Sequence, residues 1–477
     1  MVPASKTTRG DLRCDDTGAD TETKDRTVAS DLSQSSSRVE RGSTQGLSVE
    51  GSKHSVDSKT LRVGELYRSL RDQGSDPNEW AYAWRRELNR GGFRAVDFLM
   101  DEVVESGKCI GCAACVAICP VDVFDYVDEK PQDTRTSACV LCVLCVEACP
   151  VLRPVDNDLP TMLHQLSPAA EDQGFGSYGY GVYARSTDPE LVANAQDGGL
   201  VSALLLHGLE EGDLKGVVLG DVEPDQTQIG RPLLATTREE VLGAAGSRYT
   251  YSPNTLALRE AMRRGVAPIA VVGVPCQVDG VRLQQNSSIS LSTAAWYRDN
   301  ISLVIGLLCS EAFTHESIEK LGEMIDVAPI RIENINIKGK VVVRLDNGEV
   351  RTASLKRYQD FARPACLYCL DYGAENADIS AGGIGLDNWT LTLVRTEAGH
   401  RALQGAIDAG WVEIQPLETE PRGMFLFERL AANKKKNRPL PAQMPDLAQR
   451  EALGWLNPKT FYTTGPGAPA QTDKDPS

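Results

Sequence analysis

Between Tyr178 and about Leu430, short apolar runs alternate with stretches of helical period. Val182–Ser186 reads as a strand, and Gly198–Gly212 as a helix closed by a terminal glycine. Lys215–Val222 is a strand, Thr237–Gly246 a helix, and Pro268–Cys276 a buried strand entering a turn. Val278–Gln285 is helical, Ile301–Cys309 is another buried strand, and Thr314–Ile325 is a helix. Strands alternating with helices predict an α/β domain with a mostly parallel sheet over residues 175–438. Lys338–Ser354 differs: two alternating runs flank Asp346-Asn347-Gly348, a β-hairpin signal.

The flanks are patterned differently. Residues 1–60 are rich in Ser, Thr, Asp, Gly and Arg without an apolar period, which predicts a disordered tail. Helical patterns at Leu61–Leu70 and Trp80–Leu88, followed by Val96–Val104 leading into the cysteines, make residues 61–100 a helical lead-in to a small α+β module at 101–155. A polar Pro/Asp linker occupies 156–174, and a Pro-rich C-terminal tail 439–477.

With 41% hydrophobic and 24% charged residues, the composition is that of a globular protein. The net charge of −16 argues against nucleic acid as a partner, because phosphate binding rests on clustered Lys and Arg. The longest apolar stretches, Ile301–Cys309 and Val266–Pro275, reach about half the length that a bilayer needs, so peripheral docking to a complex is the only membrane association expected. The first residues lack the apolar core of a secretory leader, which predicts a cytoplasmic location. In a reducing compartment, 13 cysteines with regular spacing imply metal or redox chemistry rather than disulfides.

Two runs carry one spacing. Cys109, Cys112, Cys115 and Cys119-Pro120 form C-x2-C-x2-C-x3-C-P, and Cys139, Cys142, Cys145 and Cys149-Pro150 repeat it. This is the ligand pattern of bacterial two-cluster ferredoxins, in which the fourth Cys of each run crosses to the other 4Fe–4S cluster. Cluster one then uses Cys109, Cys112, Cys115 and Cys149, and cluster two Cys139, Cys142, Cys145 and Cys119. Zinc is the competing reading, but its sites draw four ligands from two pairs and do not need two four-Cys runs with trailing prolines.

Cys276 and Cys309 follow buried strands, and Cys366 and Cys369 make a further C-x2-C pair. Ligands gather at the carboxyl ends of strands in open α/β sheets, so these thiols could meet and hold a third 4Fe–4S cluster. Free Cys as a small buried apolar residue is the alternative. Cys14 lies in the tail and reads as inert. Gly174–Gly179 matches G-x-G-x-x-G but neither follows a strand nor opens a helix, so it reads as loop. Lys434–Lys436 reads as a solvated face, and the 5 histidines make no metal spacing or triad.

Asp197–Gly212, Gly246–Asn254, Val271–Arg282, Gly306–Cys309 and Arg363–Gly385 follow one another in order. Together these segments resemble the family of coenzyme F420 hydrogenase and dehydrogenase beta subunits, over about residues 175–430. The resemblance implies an oxidoreductase with one FAD, a 4Fe–4S cluster on Cys276, Cys309, Cys366 and Cys369, and a pocket for coenzyme F420 at the flavin face. A flavin takes the two electrons of a hydride together and releases them singly, so it belongs between a deazaflavin and iron–sulfur clusters. FAD contacts are expected from Gly198, Gly199, Ser202, Ser247, Arg248 and Tyr249, glycine admitting phosphate and Arg248 pairing with it. No catalytic residue is assigned.

The family also contains ferredoxin-dependent reductases of chlorophyll-type pigments. Leu386-Asp387-Asn388-Trp389 departs from the dehydrogenase pattern by a residue and lacks its Pro and Gly. Two further readings therefore stand beside coenzyme F420 oxidoreduction: a pigment reductase, and an electron-transfer subunit wiring redox partner proteins or partner subunits.

Overall fold

The computed structural model describes residues 95–152 and 175–436, apart from 224, 225, 227, 288–290 and 368. The expected tails, the two earlier lead-in helices, the linker, Cys14 and Gly174 lie outside the described residues.

Helix Ala95–Leu99 continues into a π-helical turn, Met100–Glu105. Its apolar face, Val96, Phe98, Leu99 and Val103, packs on Val116, Val123, Phe124 and Val146 of the cysteine module. The module itself holds helices Ala114–Ile118 and Leu144–Glu147 and an antiparallel pair, β1 (Asp125–Val127) and β2 (Lys130–Gln132). Ala114, Ile118, Leu144 and Ala148 share one core with Leu258, Ala261, Val278 and Val281 of the larger domain. The module is thus built into the larger domain rather than hung from it.

The larger domain carries β3 (Tyr180–Ser186), β4 (Gly216–Val222), β5 (Gly230–Ala235), β6 (Ile269–Gly273) and β7 (Ile301–Leu307). A second set is β8 (Ile332–Ile337), β9 (Val341–Leu345) and β10 (Val350–Ala353), and the last strands are β11 (Ile379–Gly382), β12 (Thr390–Val394) and β13 (Val412–Pro416). Eight strands form one sheet in the order β13-β3-β12-β11-β7-β6-β4-β5. The expected parallel order holds only across the centre, where β11, β7, β6 and β4 run parallel. Both flanks are antiparallel, so the sheet is mixed. The physical reason is connection length: β4–β5 and β11–β12 are joined by short loops, which can only reverse the chain, whereas parallel neighbours need a crossover. The centre is buried on both faces and reads as continuous apolar sequence, as in the fully buried β6. The predicted hairpin is present as β9–β10, with β8 completing a separate antiparallel sheet.

Helix Leu200–Glu211 ends on Gly212 at φ 84°, and helix Arg238–Gly243 starts with a capping box from Thr237 and Glu240. Among the described residues, no helix is long and apolar enough to cross a membrane.

Candidate functional site

In the cysteine module the two runs share a backbone as well as a spacing. Gly111 and Ala113 stand at φ 70° and 61°, and their counterparts Leu141 and Val143 at 56° and 59°. Left-handed backbone costs a β-branched residue such as Val143 on the order of 1–2 kcal/mol, and it persists only where the surroundings impose it. The gain is a backbone that turns amides toward sulfur. Gly111 donates toward Cys109, Ala114 toward Cys112, Leu144 toward Cys142 and Val146 toward Cys145, and Val123 N reaches Cys119 Sγ at 3.3 Å.

Electrostatic proximity sorts the eight thiols. Burial pushes Cys112 up, and the neighbours that add to the rise are Cys149 and Cys109. Burial likewise pushes Cys145 up, helped by Cys142, Cys119 and Cys139. Cys149 is pushed up to about 12, by burial first. Cys119 therefore lies near thiols of the second run and Cys149 near thiols of the first. A bound metal would remove these protons outright and hold the sulfurs as thiolates despite their burial.

The four later cysteines come from three places. Cys276 sits in the first turn of helix Pro275–Gln285, directly after β6. Cys309 lies two residues beyond β7, its amide bonded to Tyr372 O at 2.9 Å. Cys366 and Cys369 come from the turn that begins with Pro364–Leu367. These four converge: burial pushes Cys276 far up, with Cys112, Cys369 and Cys309 adding to it. Burial raises Cys309 to about 12, and Cys366 and Cys369 contribute. Tyr251 Oη stands 3.2 Å from Cys276 Sγ. Four half-buried or buried thiols drawn from three segments have the donor chemistry that a cubane takes. Among the described residues, no three His, Cys, Asp or Glu side chains close on a single metal ion.

Cys112 in the field of Cys276 fixes which end of the module faces the larger domain. Arg363 holds that contact. It is 4% exposed, donates to Ile110 O at 2.7 Å and to Glu129 O at 2.9 Å, and stacks 4.2 Å above the Tyr251 ring. A Cβ on Gly111 would stand 2.2 Å from the Arg363 guanidinium. Gly111 therefore serves the docking contact as much as the turn. Thr255 donates to Cys112 O, and Arg259 to Cys119 O.

The residues expected to contact FAD gather around the start of helix Leu200–Glu211, though not all face the same way. Gly199 is the N-cap at φ 70° and Gly198 precedes it at φ 71°. A Cβ on Gly198 would stand 2.9 Å from Thr390 N, so close packing on β12 explains that glycine without a ligand. Tyr249 Oη accepts from Ile337 N at 3.2 Å and is engaged within the protein. Ser202 lies in the helix and Ser247 on the loop that carries Arg248. Arg248 binds its own loop at Ala245 O, 3.1 Å, while its Nε is buried without a partner. Burial pulls its guanidinium pKa down, opposed by Asp221. Both side-chain polar atoms of Gln196 are buried without a partner as well. The start of a twelve-residue helix, an unpartnered guanidinium nitrogen and an unpartnered amide have the donor chemistry that an anion such as a pyrophosphate takes.

Sequence reasoning missed Gln196, Arg363 and a third feature, the strap Asp197–Lys338–Asp387. Lys338 Nζ bonds Asp197 Oδ1 at 3.1 Å and Asp387 Oδ1 at 3.3 Å. The strap ties the altered Leu386–Trp389 loop to the segment before Gly198. Trp389 is buried beneath Arg185, 4.5 Å from ring centre to guanidinium. A lone Gln, a lone Lys and a lone Asp carry no sequence signal.

The Lys434–Lys436 run corrects an expectation outright. Lys434 is 2% exposed, and its Nζ donates to Cys309 O at 2.6 Å. Burial lowers its pKa, and Cys369, Cys309, Cys366 and Asp371 more than reverse that. Lys435 pairs with Glu375 at 2.6 Å, so only Lys436 faces solvent. The physical reason is helix geometry: Pro421–Lys434 brings its last turn onto the thiols.

Residues 181–259 match the N-terminal and residues 266–420 the C-terminal part of the family described as coenzyme F420 hydrogenase/dehydrogenase, beta subunit. Residues 102–150 match a 4Fe–4S dicluster domain. The coenzyme F420 hydrogenase beta subunit of Methanothermobacter thermautotrophicus is 35% identical over 291 residues, 59% of this chain and 99% of that protein. Its counterpart in Methanosarcina barkeri is 36% identical over 270 residues, 55% of this chain and 91% of that protein. One subunit of the F(420)H(2) dehydrogenase of Methanosarcina mazei is 29% identical over 353 residues, 70% of this chain and 91% of that one. A chain in the structure of the F420-reducing [NiFe] hydrogenase complex from Methanosarcina barkeri superposes with a TM-score of 0.53 at 35% identity, covering 56% of this chain and 92% of that one. The chain belongs to the family of coenzyme F420 hydrogenase and dehydrogenase beta subunits, oxidoreductases, joined here to a 4Fe–4S dicluster domain.

Proposed function

We propose that this chain exchanges a hydride with coenzyme F420 and moves the electrons singly through one FAD and three 4Fe–4S clusters toward partner subunits. The observation that carries this reading is the nearness of Cys112 to Cys276 in one buried core, which joins the module's eight cysteines to the other four in one route. Bound FAD accepts two electrons together and releases them one at a time, and each cubane carries one.

The chain's own residues hold, aim and shield. Cys276, Cys309, Cys366 and Cys369 would hold the cluster nearest the flavin. Cys109, Cys112, Cys115 and Cys149 would hold the next, and Cys139, Cys142, Cys145 and Cys119 the outermost. Arg248, Gln196 and the helix start at Gly199 would take the FAD pyrophosphate, with Gly198, Ser202, Ser247 and Tyr249 beside it. Backbone amides donating to sulfur favour the reduced form of a cluster. Tyr251 and the apolar core shared with the module exclude water from the step between Cys276 and Cys112. The strap Asp197–Lys338–Asp387 would stand beside the flavin, since Asp197 directly precedes Gly198.

Relatives named for coenzyme F420 support the substrate, and the hydrogenase complex supports partner subunits. An anaerobic preparation is expected to contain about twelve irons and one FAD per chain, four irons to each cubane. Mixed with reduced coenzyme F420, it is expected to bleach the flavin first and fill the clusters afterwards. Saturation at about eight irons removes the third cluster. An FAD that stays oxidised with coenzyme F420 but is reduced by ferredoxin replaces this reading with the pigment-reductase type.

A further inference from the structure

We propose that Lys434 is a positioning residue whose buried ammonium raises the reduction potential of the centre held by Cys276, Cys309, Cys366 and Cys369. The inference rests on the third cluster proposed above and goes beyond it by assigning that cluster an electrostatic control.

Three lysines end one helix and meet three fates. Lys436 is exposed and bonds Asn433 Oδ1 at 2.7 Å. Lys435 pairs with the Glu375 carboxylate. Lys434 alone turns inward, with its Nζ 2.6 Å from the carbonyl of Cys309 and its charge facing Cys369, Cys309 and Cys366. Lysine is almost never this buried unless something offsets the lost hydration. The C-terminal end of helix Pro421–Lys434 and the Cys309 carbonyl supply part of that offset. Asp371 adds to it, and the thiolates of a bound cluster would supply the rest.

One electron added to a cubane raises the negative charge of cluster plus thiolates by one unit. A fixed positive charge close by stabilises the reduced form more than the oxidised one. Burial makes the effect large, because the local dielectric is low and salt screens little. Replacing Lys434 by an uncharged residue should therefore lower the potential of that one cluster and leave the other two nearly alone.

The test is potentiometric titration of the anaerobically reconstituted holoprotein by paramagnetic resonance, with iron counted in every sample. In Lys434→Met one reduction wave of three is expected to move down by at least a tenfold change in its one-electron equilibrium, which is about 59 mV. The other two should move by less than half of that. Lys434→Arg and the surface control Lys436→Met should keep the wild-type waves. Unmoved waves in Lys434→Met at full iron overturn the proposal and leave the third cluster standing. A wild type that stops at about eight irons removes the cluster itself, and the proposal with it. Where Lys434→Met fails to load, Lys434→Arg and Lys434→Gln decide: full iron in Arg alone supports the charge, and equal loss in both assigns Lys434 to packing and overturns it.

Discussion

The two sets of cysteines reach similar geometry by opposite routes. Eight of them lie between Cys109 and Cys149, and their positions follow from spacing plus a backbone conformation repeated at Gly111/Leu141 and Ala113/Val143. The other four span Cys276 to Cys369 and meet only because β6 and β7 run parallel side by side and a turn folds across their ends. The first set is nearly a local property of the chain, while the second is a property of the fold. Closing longer loops costs more chain entropy, though only slowly with length, so the second site must draw on the stability of the whole sheet.

This contrast gives the largest expected effect. Cys366→Ala should cut iron from about twelve to about eight per chain, because a cubane needs all four thiolates. The module should keep its full complement, and bound FAD should remain reducible by coenzyme F420 while the module fills slowly. Iron analysis and stopped-flow spectroscopy read both. Loss of the module's iron as well would show that its independence ends at the shared core of Ala114, Ile118, Leu144 and Ala148.

Arg363 is the joint between the two regions, and its removal should come next in size. Its guanidinium is buried, pairs with Glu129 Oε2 at 3.5 Å and binds two carbonyls of the module. Breaking a buried pair by deleting one partner costs about 3–5 kcal/mol. Arg363→Met should lose about that much in denaturant unfolding and slow electron transfer into the module. An unchanged midpoint would mean that the apolar core alone docks the two regions.

A smaller effect is expected at the proposed FAD site. Hydrogen bonds to charged groups contribute about 1.5–3 kcal/mol, so Arg248→Gln should weaken FAD binding by about tenfold to a hundredfold. Equilibrium titration of the apoflavoprotein measures it. Undiminished affinity would leave the unpartnered Arg248 Nε and Gln196 amide without a ligand.

What the chain discloses before it folds follows the same division. The Cys runs, the β9–β10 hairpin at Asp346-Asn347-Gly348 and the glycine end of helix Leu200–Glu211 are local and legible. The strand flanks are not, because apolar runs announce burial but carry no direction. Lys434 defeats its own pattern because a run of like charge ordinarily faces water, and only the placement of Pro421–Lys434 turns its last residue inward. Arg363 stands out in sequence only within a family segment, since its partners, Ile110 and Glu129, lie more than two hundred residues away. Asp197 and Lys338 likewise meet only through the fold.

The smallest effect tests whether the larger domain's stability is shared with its proposed metal site at all. Helix Arg238–Gly243 is capped at the surface: Thr237 Oγ1 accepts from Glu240 N at 3.3 Å, and Glu240 Oε2 accepts from Thr236 N at 2.7 Å and Thr237 N at 3.1 Å. Thr237→Ala should cost about 1 kcal/mol, the usual value of a lost N-cap, with iron and flavin content unchanged. The Thr236 amide lowers the Glu240 pKa, opposed by burial and helped by the Thr237 amide and the two hydroxyls. A carboxylate lowered on folding stabilises the protein above its unfolded pKa, and the gain is lost as pH falls through the folded value. The difference between wild type and Glu240→Gln should therefore be present at neutral pH and vanish in acid, below the ordinary carboxylate range. A difference that persists in acid would assign the effect to the hydrogen-bond geometry rather than the charge. Iron lost from Thr237→Ala at neutral pH would tie the cubane sites to the stability of the most peripheral helix, against the independence expected of the eight-cysteine set.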